Sequence, residues 1–334
     1  MGQWDRFISL DENKASLANF LCLELANKFH NQEGVELVLN GGFTDPAKVW
    51  TSSGRDVSKL SSAEHEEADT RILLHVKDAS EQGYPQTIVV SRDTDVLVLL
   101  FAFQPQLSHF LWMKAGTPKK QHFVPVHSIN ITDLQRASLL AFHAVTGSDS
   151  TSQFARIGKR SAWAIFQQNS QLLQNLGKED FPDENVIADT ESFVCKLYVP
   201  NSQENSIQKA RCDLFLGLTK SIENLPPTRD ALILHIRRAH YQSLVWRRAL
   251  EAEPHLPAPE ESGWELVVKE GSEMLQPQLM TGKPITAFCL ELTTCKCRAA
   301  CATRRCKCTH NGLGCTQACG CKGLCRNPFT VQVQ

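Results

Sequence analysis

Two groups of side chains in this 334-residue sequence could do chemistry. The first is acidic: Glu67 and Asp69, then Asp93 and Asp95 within Ser91-Arg92-Asp93-Thr94-Asp95, then Asp149 at the end of Thr146-Gly147-Ser148-Asp149. Converging carboxylates repel one another, and a hard cation with oxygen ligands offsets that cost. Mg²⁺ or Mn²⁺ is the ion such a pocket takes, and a pair of them can clamp the attacking and leaving oxygens of a phosphodiester. The second group is thiol. Nine of the thirteen cysteines are spaced Cys295-x-Cys297-x3-Cys301-x4-Cys306-x-Cys308-x6-Cys315-x3-Cys319-x-Cys321-x3-Cys325.

Structural Zn²⁺ prefers tetrahedral thiolate ligation. Nine thiolates cannot give three zincs four private ligands each, but they suffice when three sulfurs each bridge two ions. Three zincs and nine thiolates carry −3, and residues 295–327 contain seven Lys and Arg and no Asp or Glu, so the loaded segment is about +4. A small cationic body of this kind suits phosphate contact, with Arg304, Arg305 and Lys307 as candidate contacts. The other readings are a disulfide framework and metal storage. The odd cysteine number disfavours the first, and the large attached body is unlike a storage peptide. His310 is a further donor in reach of the pattern, although nine cysteines already satisfy the count.

These groups need elements to hold them. Ser61 and Glu64 have capping-box spacing, which predicts a helix over about 62–82 carrying Glu67 and Asp69. On a regular helix Glu67 and Asp69 point about 200° apart, whereas Glu66 and Asp69 share a face. The β-branched run Thr87-Ile88-Val89-Val90 predicts a buried parallel strand, with Asp93 and Asp95 at its C-terminal end, where open α/β sheets bind ligands. Asp93 alone reads first as the cap of the next helix, the apolar stretch Val96–Phe103. Phe110–Lys114 and His122–Val126 read as a strand pair, Val35–Leu39 as a short strand, and Ile131–Val145 as a helix leading to Asp149. Ser16–Phe29 reads as an amphipathic helix. From Ser161 to about Leu250 the pattern is helical, with 206–222 and 228–250 the clearest segments. The basic end of 228–250 suits either a helix C-terminus or a nucleic acid. Five prolines between 252 and 288 read as a linker or extended strap, tacked down by Trp264. The expected class is α/β: a partial parallel sheet flanked by helices, a helical C-terminal half, and a small zinc-cluster module.

A hydrophobic content of 42% allows a real core, and the net charge of −1 means that any nucleic-acid surface must come from local clustering. No apolar run approaches a membrane span, and the first residues lack the apolar core of a secretory signal. The expectation is an intracellular, nuclear protein whose thiols stay reduced, with no membrane partner. His65, His75 and His143 lie near the acidic motifs without any zinc-hydrolase spacing, and read as hydrogen-bonded neighbours of the site.

The order Glu66-Glu67-Ala68-Asp69, strand, Asp93-Thr94-Asp95, helix, Gly147-Ser148-Asp149, then Ile157-Gly158-Lys159-Arg160, resembles the flap-endonuclease branch of the PIN-like nucleases over about residues 1–175. HEEADTRILLH and FHAVTGSDSTSQF also resemble nuclease-like proteins carried by animal mobile elements. The resemblance implies a divalent-metal site at Glu67, Asp69, Asp93, Asp95 and Asp149, with Lys159 and Arg160 steadying a duplex backbone. On this reading the chain starts near the middle of that fold, an N-terminally truncated form. Arg156-Ile157-Gly158 stands where that family places two glycines. The tail, including Cys325-x-Asn327, resembles the CXC domain of tesmin-like and Enhancer-of-zeste proteins, which implies three zincs and contact with DNA or chromatin. Tesmin-like members carry a DNA-inserting Tyr where Arg305 stands here, so contact with the DNA backbone is expected instead of groove reading. The expected organisation is 1–175 nuclease-like, 176–252 helical extension, 253–288 strap and 289–328 zinc module.

Overall fold

A computed structural model describes residues 3–30, 32–61, 65, 68–117, 119–201, 203–216, 224–269, 272–282, 294–298, 300–316 and 319–330. In chain order the elements are helices α1 (Gln3–Phe7) and α2 (Asp11–Phe29), strands β1 (Val38–Asn40) and β2 (Val49–Thr51), α3 (Ala68–Glu81), β3 (Gln86–Val90), α4 (Thr94–Phe103), β4 (Phe110–Thr117), β5 (Lys120–Pro125), α5 (Asp133–Val145), α6 (Lys159–Asn169), α7 (Glu184–Tyr198), α8 (Ile207–Leu216), α9 (Arg229–Arg247), β6 (Trp264–Lys269), β7 (Ser272–Pro277) and α10 (Lys307–His310). The fold is mixed α/β, as expected. No helix among the described residues is long and apolar enough to cross a membrane.

Two compact units divide the chain: Met1–Gln153 with Gly158–Thr190 and His235–Pro277, and Phe154–Ile157 with Glu191–Leu234 and Gln278–Gln334. In the first unit α3 packs on α4, and α4 on α5. Leu73, Leu74, Val96, Leu99, Leu100, Leu140 and Val145 are buried there. Thr132 starts α5 with a full capping box: its hydroxyl accepts from Gln135 N–H, and the Gln135 side chain accepts from Thr132 N–H. Arg55 ties the β1–β2 region to α3, donating from Nε to Glu36 (2.7 Å) and from Nη1 to Asp78 (2.9 Å). Gly177 adopts φ +77 and lies so close to Ser243 of α9 that a Cβ would meet its hydroxyl at 2.5 Å, a place only glycine fills. His240 closes the same contact, accepting Gly177 N–H at Nδ1 (3.1 Å) and donating from Nε2 to Glu179 O (2.7 Å).

The sheet differs from the one expected. β3 is parallel to β4, β5 is antiparallel to β4, and β1–β2 and β6–β7 form separate antiparallel pairs, so parallel pairing among the described residues is confined to β3–β4. Nor is β3 a buried strand. Among the described residues it is an edge, with Val89 buried and Ile88 and Val90 49% and 72% exposed, because one face of the pleat turns to the helices and the other does not. The strand pair around residue 117 formed as expected. The expected strap contains a hairpin instead, since the alternating Trp264-Glu265-Leu266-Val267-Val268 and Met274-Leu275 runs carry a strand period that the flanking prolines obscured. Helix α2 formed, yet none of its described residues is buried, and Phe20, Leu21 and Leu23 are exposed.

In the second unit Glu191, only 6% exposed, joins three helices. Its Oε1 accepts the N–H of Ile207 at the start of α8 (2.9 Å), and its Oε2 accepts from Arg229 at the start of α9 (3.2 Å). Residues 294–330 form the cysteine-centred cluster described next.

Candidate functional site

The thiols collect as the spacing predicted. Cys295, Cys301, Cys306, Cys308, Cys315, Cys319 and Cys321 are buried against one another, with Cys297 and Cys325 half-buried at the edge. All nine are free thiols, so the disulfide reading does not hold. Cys295 Sγ lies 3.9 Å from Cys301, 3.9 Å from Cys315 and 4.0 Å from Cys321, Cys306 is 4.0 Å from Cys315, and Cys308 is 3.6 Å from Cys319. A zinc with four sulfurs at about 2.3 Å has tetrahedral edges of about 3.8 Å, and these separations match that edge. The donors fit the ion.

The sulfurs also overlap in sets of four: Cys295, Cys301, Cys315, Cys321; Cys295, Cys297, Cys301, Cys306; and Cys295, Cys306, Cys308, Cys315, each within 4.8 Å. Cys295 belongs to all three sets and Cys301, Cys306 and Cys315 to two each, so the three bridging sulfurs of the nine-thiolate count are drawn from these four, while Cys319 and Cys325 join none of the sets found among the described residues. Burial, then the neighbouring Cys319, pushes the Cys308 thiol up to about 12. Thiols crowded out of water resist ionisation, and a bound cation reverses that cost. The terminal Cys-x-Asn has a physical reason: Asn327 Nδ2 donates to Leu313 O (2.7 Å) and Cys315 Sγ (3.2 Å). Gly320 is held by its N–H on Cys295 O (2.7 Å), and a Cβ there would press on Lys296 and Cys297 at 3.0 Å. Lys296, Arg298, Arg304, Arg305, Lys307, Lys322 and Arg326 are all exposed, as is His310, which joins none of the thiol sets.

The acidic motifs meet in part. Carboxylate oxygens of Asp69, Asp93 and Asp95 lie within 4.8 Å of one another. Mg²⁺–oxygen bonds of about 2.1 Å hold neighbouring ligand oxygens about 3–4 Å apart, so small side-chain rotations close this set on one ion. Asp69 opens α3, and Asp93 and Asp95 sit between β3 and α4. Asp93 is also the cap of α4, accepting from Asp95 N–H at 2.9 Å. Asp149 is exposed and outside the triad, although its charge is felt at Lys159. Glu67 and Glu66 lie outside the described residues.

His143 is a hydrogen-bonded neighbour of the acidic site, as expected, and its link to Lys159 had no sequence signal. Buried His143 bonds through Nε2 to Asp95 Oδ1 (2.7 Å) and through Nδ1 to Lys159 Nζ (2.6 Å). A carboxylate accepts and an ammonium donates, so the chain runs Lys159 N–H to Nδ1 and Nε2–H to Asp95, which fixes the tautomer. Burial works against the Asp95 carboxylate, but the His143 bond, with His143 and Lys159 nearby, holds it below its ordinary pKa. Loss of water around the Lys159 ammonium brings its pKa down to about 8, against the pull of Asp95 and Asp149. Lys159 thus turns toward the acidic site, whereas Arg160 is exposed on the first turn of α6. Arg156 holds φ +59, a backbone state that glycine adopts more easily. His65 is bonded through Nε2 to Glu251 O (2.6 Å). Comparison with protein-family models, curated proteins and solved structures found no match.

Proposed function

We propose that this is a DNA-binding protein whose thiol tail holds three zincs and offers its basic rim to phosphate. The body keeps the acidic site of a PIN-like, flap-endonuclease type of nuclease of mobile-element origin. The observation that carries this reading is the tail: a tetrahedrally spaced sulfur core ringed by seven exposed Lys and Arg with no acid among residues 295–327. DNA and chromatin are its partners, and the nucleus its place of work.

In the enzyme version, Asp69, Asp93 and Asp95 hold Mg²⁺ or Mn²⁺, joined by Glu67 and Asp149. The ion would supply a Lewis acid for the phosphate and lower the pKa of an attacking water. His143 occupies Asp95 Oδ1 and thereby leaves Oδ2 for the ion. Lys159 neutralises part of the acidic charge, and Arg160 meets the nucleic-acid backbone. The second reading is a non-catalytic DNA adaptor on a decayed nuclease scaffold. It is favoured by the parallel pairing confined to β3–β4 and by the capping task of Asp93.

Incubating flap and hairpin DNA with the wild-type chain and its Asp93→Asn/Asp95→Asn double variant, with and without Mg²⁺, separates the two. Mg²⁺-dependent cleavage lost in the variant supports the enzyme. Cleavage that survives the double substitution removes the acidic-site mechanism, and DNA binding without cleavage by wild type selects the adaptor.

A further inference from the structure

Thr70, next in the chain to Asp69, lines a cavity of about 480 Å³, within the range of roughly 300–1,000 Å³ in which small organic groups are bound. Its walls are the proline-rich run 254–259, Tyr241 of α9 and Trp264 of β6, whose ring lies 5.8 Å from the guanidinium of Arg238. Among the described residues no Asp, Glu, Lys or Arg lines it. Its address is set by chain neighbours of the acidic residues: Thr70 and Ser150, directly after Asp69 and Asp149, form part of the wall.

Two buried polar groups in that wall are half-satisfied. Gln242 is 6% exposed, and its Oε1 accepts from Ser150 Oγ at 2.6 Å. Its amide nitrogen has no hydrogen-bond partner among the described residues. His65 is 4% exposed. Its Nε2 must donate to the carbonyl of Glu251, which leaves Nδ1 as a bare acceptor while the ring is neutral. Among the described residues the cavity therefore offers apolar and aromatic walls, a donor on Gln242, an acceptor on His65 while its ring is neutral, and no charged side chain in the wall itself. Phosphate and carboxylate groups do not suit it, since a buried anion needs a paired cation. A planar heteroaromatic ring with in-plane donors and acceptors does.

We propose that this cavity takes one unstacked nucleobase of a single-stranded or frayed substrate, with the adjoining phosphate lying over Asp69, Asp93 and Asp95. The identity of the polymer rests on the nucleic-acid reading above, but occupation of the cavity does not require that the site be catalytic. The base gains stacking on Tyr241 and Trp264, of the order of 1–3 kcal/mol, which is about 5- to 150-fold in affinity.

The test uses the full-length wild-type chain with Ca²⁺ in place of Mg²⁺, so that no cleavage intervenes, and single-stranded oligonucleotides carrying 2-aminopurine or an abasic residue at each position in turn. One position is expected to show a marked change in 2-aminopurine emission on binding, and an abasic residue there to weaken binding about tenfold. Gln242→Leu and Trp264→Ala are each expected to abolish the emission change. The abasic comparison alters the ligand alone and so stands even if a protein variant misfolds. Equal affinity for all abasic oligonucleotides, with no responsive position, would overturn the pocket even if Mg²⁺-dependent cleavage is found. A responsive position together with absent cleavage would keep the pocket and remove the nuclease.

Discussion

At the scale of single residues the thiols are not equivalent. Cys295 is fully enclosed and sits in every set of four, whereas Cys297 is half-buried and sits in one. Cys295→Ser is therefore expected to release more than one zinc per chain, and Cys297→Ser at most one, read by a colorimetric zinc indicator after chelator challenge. Equal release from both would dissolve the shared-ligand reading. Asp93 carries two tasks that substitution can separate. Asp93→Asn keeps a capping oxygen and removes charge, so it should leave thermal stability nearly unchanged while weakening divalent-ion binding. Asp93→Ala should weaken both, with a stability loss of about 1 kcal/mol from the lost cap. Thermal melts with and without Mg²⁺ check both outcomes. The residue types at both sites were legible because cysteine spacing and acidic motifs are local patterns. His143 was legible as a neighbour of the acidic site, but its exact partners Asp95 and Lys159 were not, since they lie 48 and 16 positions away and only the packing of α4, α5 and α6 brings them together. The two vacant bonding positions on Gln242 and His65 were hidden for the same reason.

At the scale of elements, apolar period and capping residues located α4, α5 and α9 closely and the start of α8, whose expected end lies outside the described residues, because each carries its own signal. Thr132 with Gln135 is such a signal in full, and Thr132→Ala is expected to cost about 1 kcal/mol in urea unfolding, with an unchanged dependence on denaturant. Strand pairing was less legible. A β-branched run announces a strand but not its neighbours, so Thr87–Val90 gave no warning that β3 would lie at an edge or that β5 would run antiparallel. The β6–β7 hairpin was masked by nearby prolines, whose restricted φ reads locally as a linker. Helix α2 was legible as a helix, but its amphipathic pattern did not reveal that its apolar side stays open.

At the scale of the whole molecule, buried imidazoles couple the fold to pH. His235 is buried and bonds through Nε2 to Val145 O (2.9 Å), and loss of water brings its pKa down to about 4. A group whose pKa is depressed in the fold binds protons more readily when unfolded, so stability falls as pH drops below its unfolded pKa. The window runs from about pH 6.5 down to about pH 4, with His235 contributing up to about 3 kcal/mol. His65 and His240 are shifted in the same direction by burial. His235→Gln should flatten the decline, measured as unfolding free energy against pH, whereas an identical decline would assign the acid sensitivity elsewhere. Binding of DNA should show a strong salt dependence, and Arg304→Ala with Arg305→Ala should reduce the slope of log affinity against log salt by about 2.

The account turns most on the tail, and native mass spectrometry of the full chain, compared with the same sample after acid unfolding, weighs its metal directly. Three zincs per folded chain, all lost on unfolding with nine reduced thiols recovered from residues 295–325, is the predicted result. A folded chain that carries no zinc, or whose cysteines are paired as disulfides, would contradict it.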